Sequence, residues 1–571
     1  MSQWKEDFLF FCKNKIYMWM LSLTAVFGYG FLVTHQTVGI DDTPYAYYFE
    51  EGLNVIVGRW FMYLLNKVFH VSEFTPFLTD LAGVLILMLA VTVWCTVLYS
   101  ICRERVSMWG YVFFSCIFLS CPLISEVYTY YLHNGISCGY LFVGISLAFF
   151  KELAVCLGNK AGWKRPLGFG LGAAFFLFMA MGCYESFMIV WLVGVIAVLL
   201  LMRYMGQACK VFSSLLAGAC MALLAIVFRS VMLPLCTGIF DLGALKEDAV
   251  QRSIGEMLGW VFDAEARAEF TMAIKRLYVM YFVFGYAYYP IKIFVLASVV
   301  IVISGIWRAI RQKDLWIGVL TVGLYIAAFL LVVIEGKVTL YRSAQFLPVL
   351  CGLGVLVLAY AVNGLSAKEG VQAAEGKVSR QKVFAGLKTD KCVTTVTIFI
   401  LAVVLWNQCF DMNRWFYVDW MKYEDARKMA EQISYELEKD FDTSKPVVFA
   451  GYYVVPKSII GDAYVQYNSE EHIKMLRLCN LVDEHLLEKF HRGDYGIWVA
   501  QTPALSVLDW AISAFDSTGE MVKFFAMHGL DIEICTDMEL RDEVNLWAVD
   551  YPHFPEEGSI VDMGDYIVVH F

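Results

Sequence analysis

The chain has 571 residues, of which 59% are hydrophobic, 16% aromatic and only 17% charged, with a net charge of -10 and a mean hydropathy of +0.60. That composition excludes an ordinary soluble protein and indicates an integral membrane protein. It gives no support to a nucleic-acid partner, because no basic stretch is interleaved with aromatic residues.

Apolar runs of roughly 20 residues, the length that crosses about 30 Å of hydrocarbon, occur at 16–35, 76–101, 108–124, 133–150, 167–184, 186–202, 211–235, 291–309, 315–334, 344–363 and 393–410. The expected fold class is therefore mainly α, a polytopic helical membrane protein of about eleven spans. Residues 1–410 form its transmembrane part and 411–571 a small α/β domain. The first run, Ile16 to Val33, is too long for a signal peptide and lacks a small-residue cleavage site, so it reads as an uncleaved span. Lys13, Lys15, Arg103, Arg105, Lys151, Lys160, Lys164, Arg165, Arg203, Lys210, Arg308, Arg311, Lys313 and the basic segment 368–391 all fall on one side. The positive-inside rule makes that side cytoplasm, with the N-terminus inside and the C-terminal domain outside the membrane.

Two outer loops are long, 36–75 and 236–290. The first holds Asp41 and Asp42 and then Gly58-Arg59-Trp60, opening an aromatic amphipathic helix suited to the membrane interface. The second suggests surface helices able to roof a cavity. Segment 364–391, rich in Ala, Gly, Lys and Glu, reads as a flexible cytoplasmic linker. Beyond it the pattern predicts a helix near 422–439, strands at 446–450 and 495–500, a helix at 518–529 and a final pair of strands ending at Phe571. Most of the 16 cysteines lie in apolar runs as small hydrophobes, leaving Cys479 and Cys535 as the candidate disulfide. No cysteine or histidine spacing suggests zinc.

Ionisable groups at the outer ends of spans are site candidates, since charge near the membrane interior is costly and faces a cavity. Paired acids in the first outer loop, Asp41 and Asp42, suit a glycosyl transferase whose donor sits in the lipid: one takes the proton of an acceptor hydroxyl. The alternative is that they cap the next helix, with Pro44 in its first turn. Asp80, Glu126, His133 and Glu185, beside Tyr184, cluster at the same level, each with the alternative of an interfacial acid or ring bound to water. Arg59, Lys337 and Arg342 are candidates for a donor phosphate, which Arg grips bidentately and Lys holds as a point charge; the alternative is snorkelling to lipid headgroups. Tyr45, Tyr47, Tyr48, Trp60, Tyr128, Tyr130 and Tyr131 could stack on sugar rings or form an aromatic belt. A divalent cation, Mg or Mn, held by Asp41, Asp42 and Glu126, is left open.

The runs Gly39-Ile40-Asp41-Asp42, Gly58-Arg59-Trp60, Pro122-Leu123-Ile124-Ser125-Glu126, Cys183-Tyr184-Glu185-Ser186 and Tyr341-Arg342-Ser343, in this topological order over roughly 36–360, resemble the glucosyl transferase II family. These are bacterial glycosyltransferases of GT-C type. The ending from Tyr551-Pro552 through Gly558-Ser559-Ile560 to Val568-Val569 is also similar to that of family members. The resemblance implies a polyprenyl-phosphate-linked hexose, typically glucose, as donor and an extracytoplasmic glycan or cell-envelope polymer such as O-antigen as acceptor. It maps the catalytic acid to Asp41 or Asp42 and a second-loop acid to Glu126. Family members often carry Gln after the Tyr of the fifth-span motif, where this chain has Glu185. The function expected is an inverting membrane hexosyltransferase. A polysaccharide polymerase or ligase, or a lipid-linked glycan flippase, is the alternative.

Overall fold

The computed structural model describes residues 2–37, 53–56, 58–70, 75–128, 133–159, 162–240, 259–282, 291–337, 341–374, 380–451, 524–526 and 528–571. Its helices in chain order are α1 (Ser2–Lys13), α2 (Lys15–Thr34), α3 (Leu53–Ile56), α4 (Trp60–Val68), α5 (Pro76–Cys102), α6 (Met108–Leu119), α7 (Pro122–Tyr128), α8 (Asn134–Gly158), α9 (Lys164–Cys183), α10 (Phe187–Tyr204), α11 (Val211–Ile239), α12 (Ala264–Phe282), α13 (Lys292–Gln312), α14 (Leu315–Ala328), α15 (Leu330–Glu335), α16 (Leu347–Ala374) and α17 (Arg380–Asp440). Among the described residues nine helices are long and apolar enough to cross a membrane, and two shorter apolar ones, Leu315–Ala328 and Leu347–Asn363, coincide with the remaining apolar runs. Helix starts follow local chemistry: the Asn14 side chain accepts from the Tyr17 N–H at 3.0 Å, separating α1 from α2.

Between helices already in an apolar phase, burial drives little, and contact depends on close packing and internal hydrogen bonds. Glycines set the approach. A Cβ on Gly354 of α16 would lie 2.5 Å from the Cα of Ala297 in α13, and one on Gly139 of α8 would lie 1.9 Å from the Phe187 ring. Buried polar groups are spent on neighbouring helices. Trp94 Nε1 donates to the Tyr140 carbonyl at 2.9 Å, Trp191 Nε1 to Ser146 Oγ at 2.8 Å, and the Tyr29 hydroxyl to the Leu119 carbonyl at 2.7 Å.

Basic residues from separate loops meet at one end of the bundle. Arg103 pairs with Asp7 at 2.5 Å, Arg105 donates to the Met205 carbonyl at 2.8 Å, and Arg203 pairs with Asp314. Arg308 lies over the rings of Tyr360 and Tyr204 at 4.2 and 4.8 Å. Charge segregation along the sequence thus becomes a spatial segregation, and Asp80, Glu126, His133 and Glu185 stand at the opposite ends of their helices.

Three expectations change. The helix of the first outer loop, α4, buries its aromatic face against the bundle: Trp60 is 3% exposed and stacks on Phe178 at 4.8 Å. Room for it comes from Gly182 and Gly135, where a Cβ would lie 2.6 Å from Trp60 and 2.4 Å from Met62. Trp60 and the equally buried Tyr128 therefore form no exposed stacking surface; Tyr45, Tyr47, Tyr48, Tyr130 and Tyr131 lie outside the described residues. Segment 364–391 is helical at 364–374 and 380–391 rather than a linker throughout. The helix near 422–439 is the far part of α17, which continues unbroken from the last apolar run. Met412, Phe416, Asp419, Tyr423, Ala426, Ala430, Ile433 and Leu437 are buried at alternating spacings of four and three, with Trp415, Val418 and Ser434 buried beside them. Such a stripe is a seam for continuous packing, and it ties α17 to α2 and α7.

The tail forms a small sheet of β1 (Val447–Ala450), β2 (Ile560–Asp562) and β3 (Ile567–His570), in the order β1-β3-β2, with β1 parallel and β2 antiparallel to β3. Alternation divides its faces. Val447, Phe449, Ile567 and Val569 join the main core, whereas Val448, Ala450 and Val568 pack with Val544 and Ala548 around α18 (Met538–Trp547). The strand near 495–500, most of the helix at 518–529 and Cys479 lie outside the described residues, and Cys535 is a half-buried thiol.

Two outcomes follow from this packing. Gly354→Ala places its methyl against backbone that cannot yield, so a loss of about 1–3 kcal/mol is expected, read as a lower thermal midpoint in detergent. The second concerns His528, whose Nδ1–H donates to the Phe524 carbonyl at 2.8 Å, so that Nε2 accepts from the Tyr423 hydroxyl at 2.9 Å. Burial, and then Arg427, hold its pKa below 6.5. With the folded value depressed, the unfolded state binds more protons in that interval, so the contribution is full above 6.5 and is lost as pH falls through the folded value. Hydrogen exchange of the 524–528 segment should rise on acidification from pH 7.5 to 5, and His528→Phe should flatten that response.

Candidate functional site

The tight turn between α3 and α4 delivers the first-loop arginine into the bundle. Gly58 N–H donates to the Val55 carbonyl at 3.0 Å and Arg59 N–H to the Asn54 carbonyl at 2.7 Å, with Gly58 at φ +93°. Only glycine adopts that backbone without strain. Arg59 lies over the Tyr184 ring at 4.4 Å and its Nε is 3.7 Å from Glu185 Oε2. The other carboxylate oxygen of Glu185 accepts from Arg229 Nη2 at 3.2 Å. Glu185 owes its place to a helix break: α9 ends at Cys183, Tyr184 is extended and α10 starts at Phe187. One carboxylate thus serves two guanidiniums, with side chains 39%, 30% and 24% exposed for Glu185, Arg59 and Arg229.

A second cluster joins Asp80 of α5 to His133 at the head of α8. Asp80 Oδ1 and His133 Nε2 are 2.7 Å apart, and the imidazole is fully buried. Tyr128 stacks on the imidazole at 4.3 Å and an interplanar angle of 3°, while its hydroxyl donates to the Gly83 carbonyl at 3.0 Å and shares a hydrogen bond with Ser137 Oγ. Gly83 is required by this ring, which a Cβ would approach to 2.4 Å. A carboxylate against Nε2 fixes the ring and favours a proton on that nitrogen. The buried Nδ1, together with both amide atoms of Asn134, has no hydrogen-bond partner among the described residues.

Glu126 in α7 is 1% exposed. Its helix packs on the turn Tyr341–Ser343 that carries Arg342. Burial, and then the charge of Glu126, push the Tyr281 phenol on α12 above its ordinary value, so this aromatic is a neutral donor at any working pH. Beyond Arg342, the Gln345 carbonyl accepts from the Tyr140 hydroxyl at 2.7 Å, and its buried side-chain amide has no partner among the described residues.

The candidate residues therefore assort into groups: Arg59, Tyr184 and Glu185 together, Asp80 with His133, and Glu126 on the element beside Arg342. Lys337 is exposed, after a left-handed Gly336 that ends α15. Asp41 and Asp42 lie outside the described residues. Among the described residues no three His, Cys, Asp or Glu side chains converge to hold a metal ion. Arg229 is the residue that the reading by loops missed, because it interrupts an otherwise apolar helix; a lone arginine in such a run was itself the signal.

Gly58→Ala would put a Cβ 1.9 Å from Arg229 Nη2 and 3.3 Å from Glu185 Oε1. Strain at the turn of about 1–3 kcal/mol adds to displacement of Arg229 from its carboxylate. The expected result is a lower thermal midpoint together with reduced activity, whereas Gly238→Ala, at a position with open space around it, should leave both near wild type.

The family model for Glucosyl transferase GtrII matches residues 30–359, from the outer end of α2 into α16. No curated protein and no solved structure matches the chain. That match spans more than half of the 571 residues and includes all three side-chain clusters. The chain belongs to the glucosyl transferase GtrII family.

Proposed function

We propose that this glucosyltransferase moves a glucose from a polyprenyl-phosphate donor to an extracytoplasmic glycan with inversion at the anomeric carbon. The observation that carries the reading is the docking of the first outer loop into the bundle through Arg59, which sits on Tyr184 and faces Glu185. A guanidinium held at the end of apolar helices, open on one side, suits a phosphate whose hydrocarbon tail lies in the membrane. Asp41 and Asp42 precede Arg59 in the same loop of the sequence.

In the reaction an acceptor hydroxyl oxygen attacks C1 of the glucose, and the bond from C1 to the phosphate oxygen breaks with its electron pair on that oxygen. The hydroxyl proton passes to Asp41 or Asp42. Arg59 stabilises the departing phosphate, with Arg342, on the turn that packs against the helix of Glu126, as a further cation. The buried amides of Asn134 and Gln345 supply neutral donors and acceptors of the kind sugar hydroxyls use. The acceptor side is extracytoplasmic in this reading, because the basic loops gather at the other end of the bundle.

The test uses purified protein in nanodiscs, radiolabelled polyprenyl-phosphate glucose and a glycan acceptor, with a nucleotide-linked glucose as control donor. Transfer should occur from the lipid-linked donor alone. Asp41→Asn and Asp42→Asn are assayed separately, and loss of the general base should lower turnover by about 100-fold or more. Near-wild-type turnover in both variants would leave helix capping as the account of the pair.

A further inference from the structure

Arg229 lies well inside α11, about three turns before its end at Ile239. A guanidinium against the outer ends of apolar helices is best placed beside an anion or a polar cavity. Glu185 satisfies it incompletely. The contacts of 3.2 Å to Arg229 and 3.7 Å to Arg59 exceed the roughly 2.7–2.9 Å of a firm charge-assisted bond. The Nε atoms of both arginines are buried with no hydrogen-bond acceptor among the described residues. Among the described residues these contacts join two cations to one anion.

We infer that Arg229 and Arg59 form a phosphate clamp and that Glu185 is its resident counter-ion, swung aside toward solvent when a phosphate enters; this rests on the phosphate-linked donor proposed above. The charge arithmetic favours it. A phosphodiester donor carries a single negative charge and so replaces the Glu185 carboxylate charge for charge. Cleavage of the bond from C1 to oxygen leaves a phosphomonoester, whose second pKa of about 6 makes it close to doubly charged at neutral pH. With Glu185 withdrawn, two guanidiniums face that second charge as it develops, so the clamp holds the leaving group more strongly than the donor. Gly58 permits the arrangement, since any side chain there occupies the space of the Arg229 guanidinium. The stacking of Arg59 on Tyr184 keeps its fork in place during the exchange.

The experiment measures binding apart from turnover, by titrating full-length protein in nanodiscs with a radiolabelled polyprenyl phosphate that carries no sugar. Arg229→Gln should weaken binding about tenfold or more, the loss expected for a charge-assisted contact. Glu185→Gln keeps the shape and removes the competing anion, so binding should tighten about threefold or more. The double variant restores the original charge balance of these three side chains and should recover part of the affinity lost in Arg229→Gln, a non-additivity that a merely structural role does not give. Unchanged binding in Arg229→Gln overturns the clamp, and unchanged or weaker binding in Glu185→Gln overturns the counter-ion role. Should Arg229→Gln fail to yield monodisperse protein, Glu185→Gln decides alone. Wild-type protein that shows this binding pattern but transfers no glucose from the lipid-linked donor would sink the proposed activity and leave the clamp standing. Normal transfer without the pattern would do the reverse.

Discussion

Charge in an apolar phase is tolerated only where it is compensated, and around Glu185 this chain compensates two guanidiniums with one carboxylate. The consequences spread through the outer half of the bundle. Arg59 arrives from a loop, Arg229 from the interior of a span, and Glu185 from the break between α9 and α10. A tight turn with a left-handed glycine, a helix interruption at an extended Tyr184 and two glycine niches for Trp60 and Met62 are all conditions for that meeting.

The two ends of the bundle use the same residue types differently. At the basic end the pairs are close: Arg103 to Asp7 at 2.5 Å, Arg203 Nε to Asp314 at 2.7 Å and Arg105 to a carbonyl at 2.8 Å. These contacts fasten loops and leave little for a ligand. At the other end the arginine contacts are long and shared. Buried donors without acceptors among the described residues occur at both ends, Arg308 Nε at the basic end and the Nε atoms of Arg59 and Arg229 at the other, so it is the long, shared contacts that set the two ends apart.

Much of the architecture was legible from the sequence, because span length, hydropathy and charge bias are single-chain properties. The outer-end candidates were legible as well, each being a rare charge beside an apolar run. Pairings were not. Nothing in the sequence links Asp80 to His133, or Glu185 to Arg229, since contact between helices depends on register and rotation set by glycines such as Gly83 and Gly58. Arg229 escaped notice because attention to loops treats helix interiors as lipid-facing. The helical parts of 364–391 were misread because Ala, Lys and Glu serve linkers and helices equally well. The aromatic α4 was assigned to lipid for a related reason: amphipathicity shows that a face is buried without saying whether lipid or protein covers it.

The histidine cluster sharpens that distinction. Asp80 and His133 meet at 2.7 Å, buried under a stacked Tyr128, so this pair resembles those at the basic end in closeness. Removing one partner leaves the other polar group buried without its hydrogen bond, at a cost of about 1–3 kcal/mol. It therefore fixes the outer end of α5 against α8, the helix on which Gly135 admits α4 and Gly139 admits Phe187. The rigid pair and the loose arginine cluster are thus complementary parts of one corner. A clamp that exchanges its counter-ion needs a frame that does not move, and the buried imidazole with its carboxylate supplies that frame.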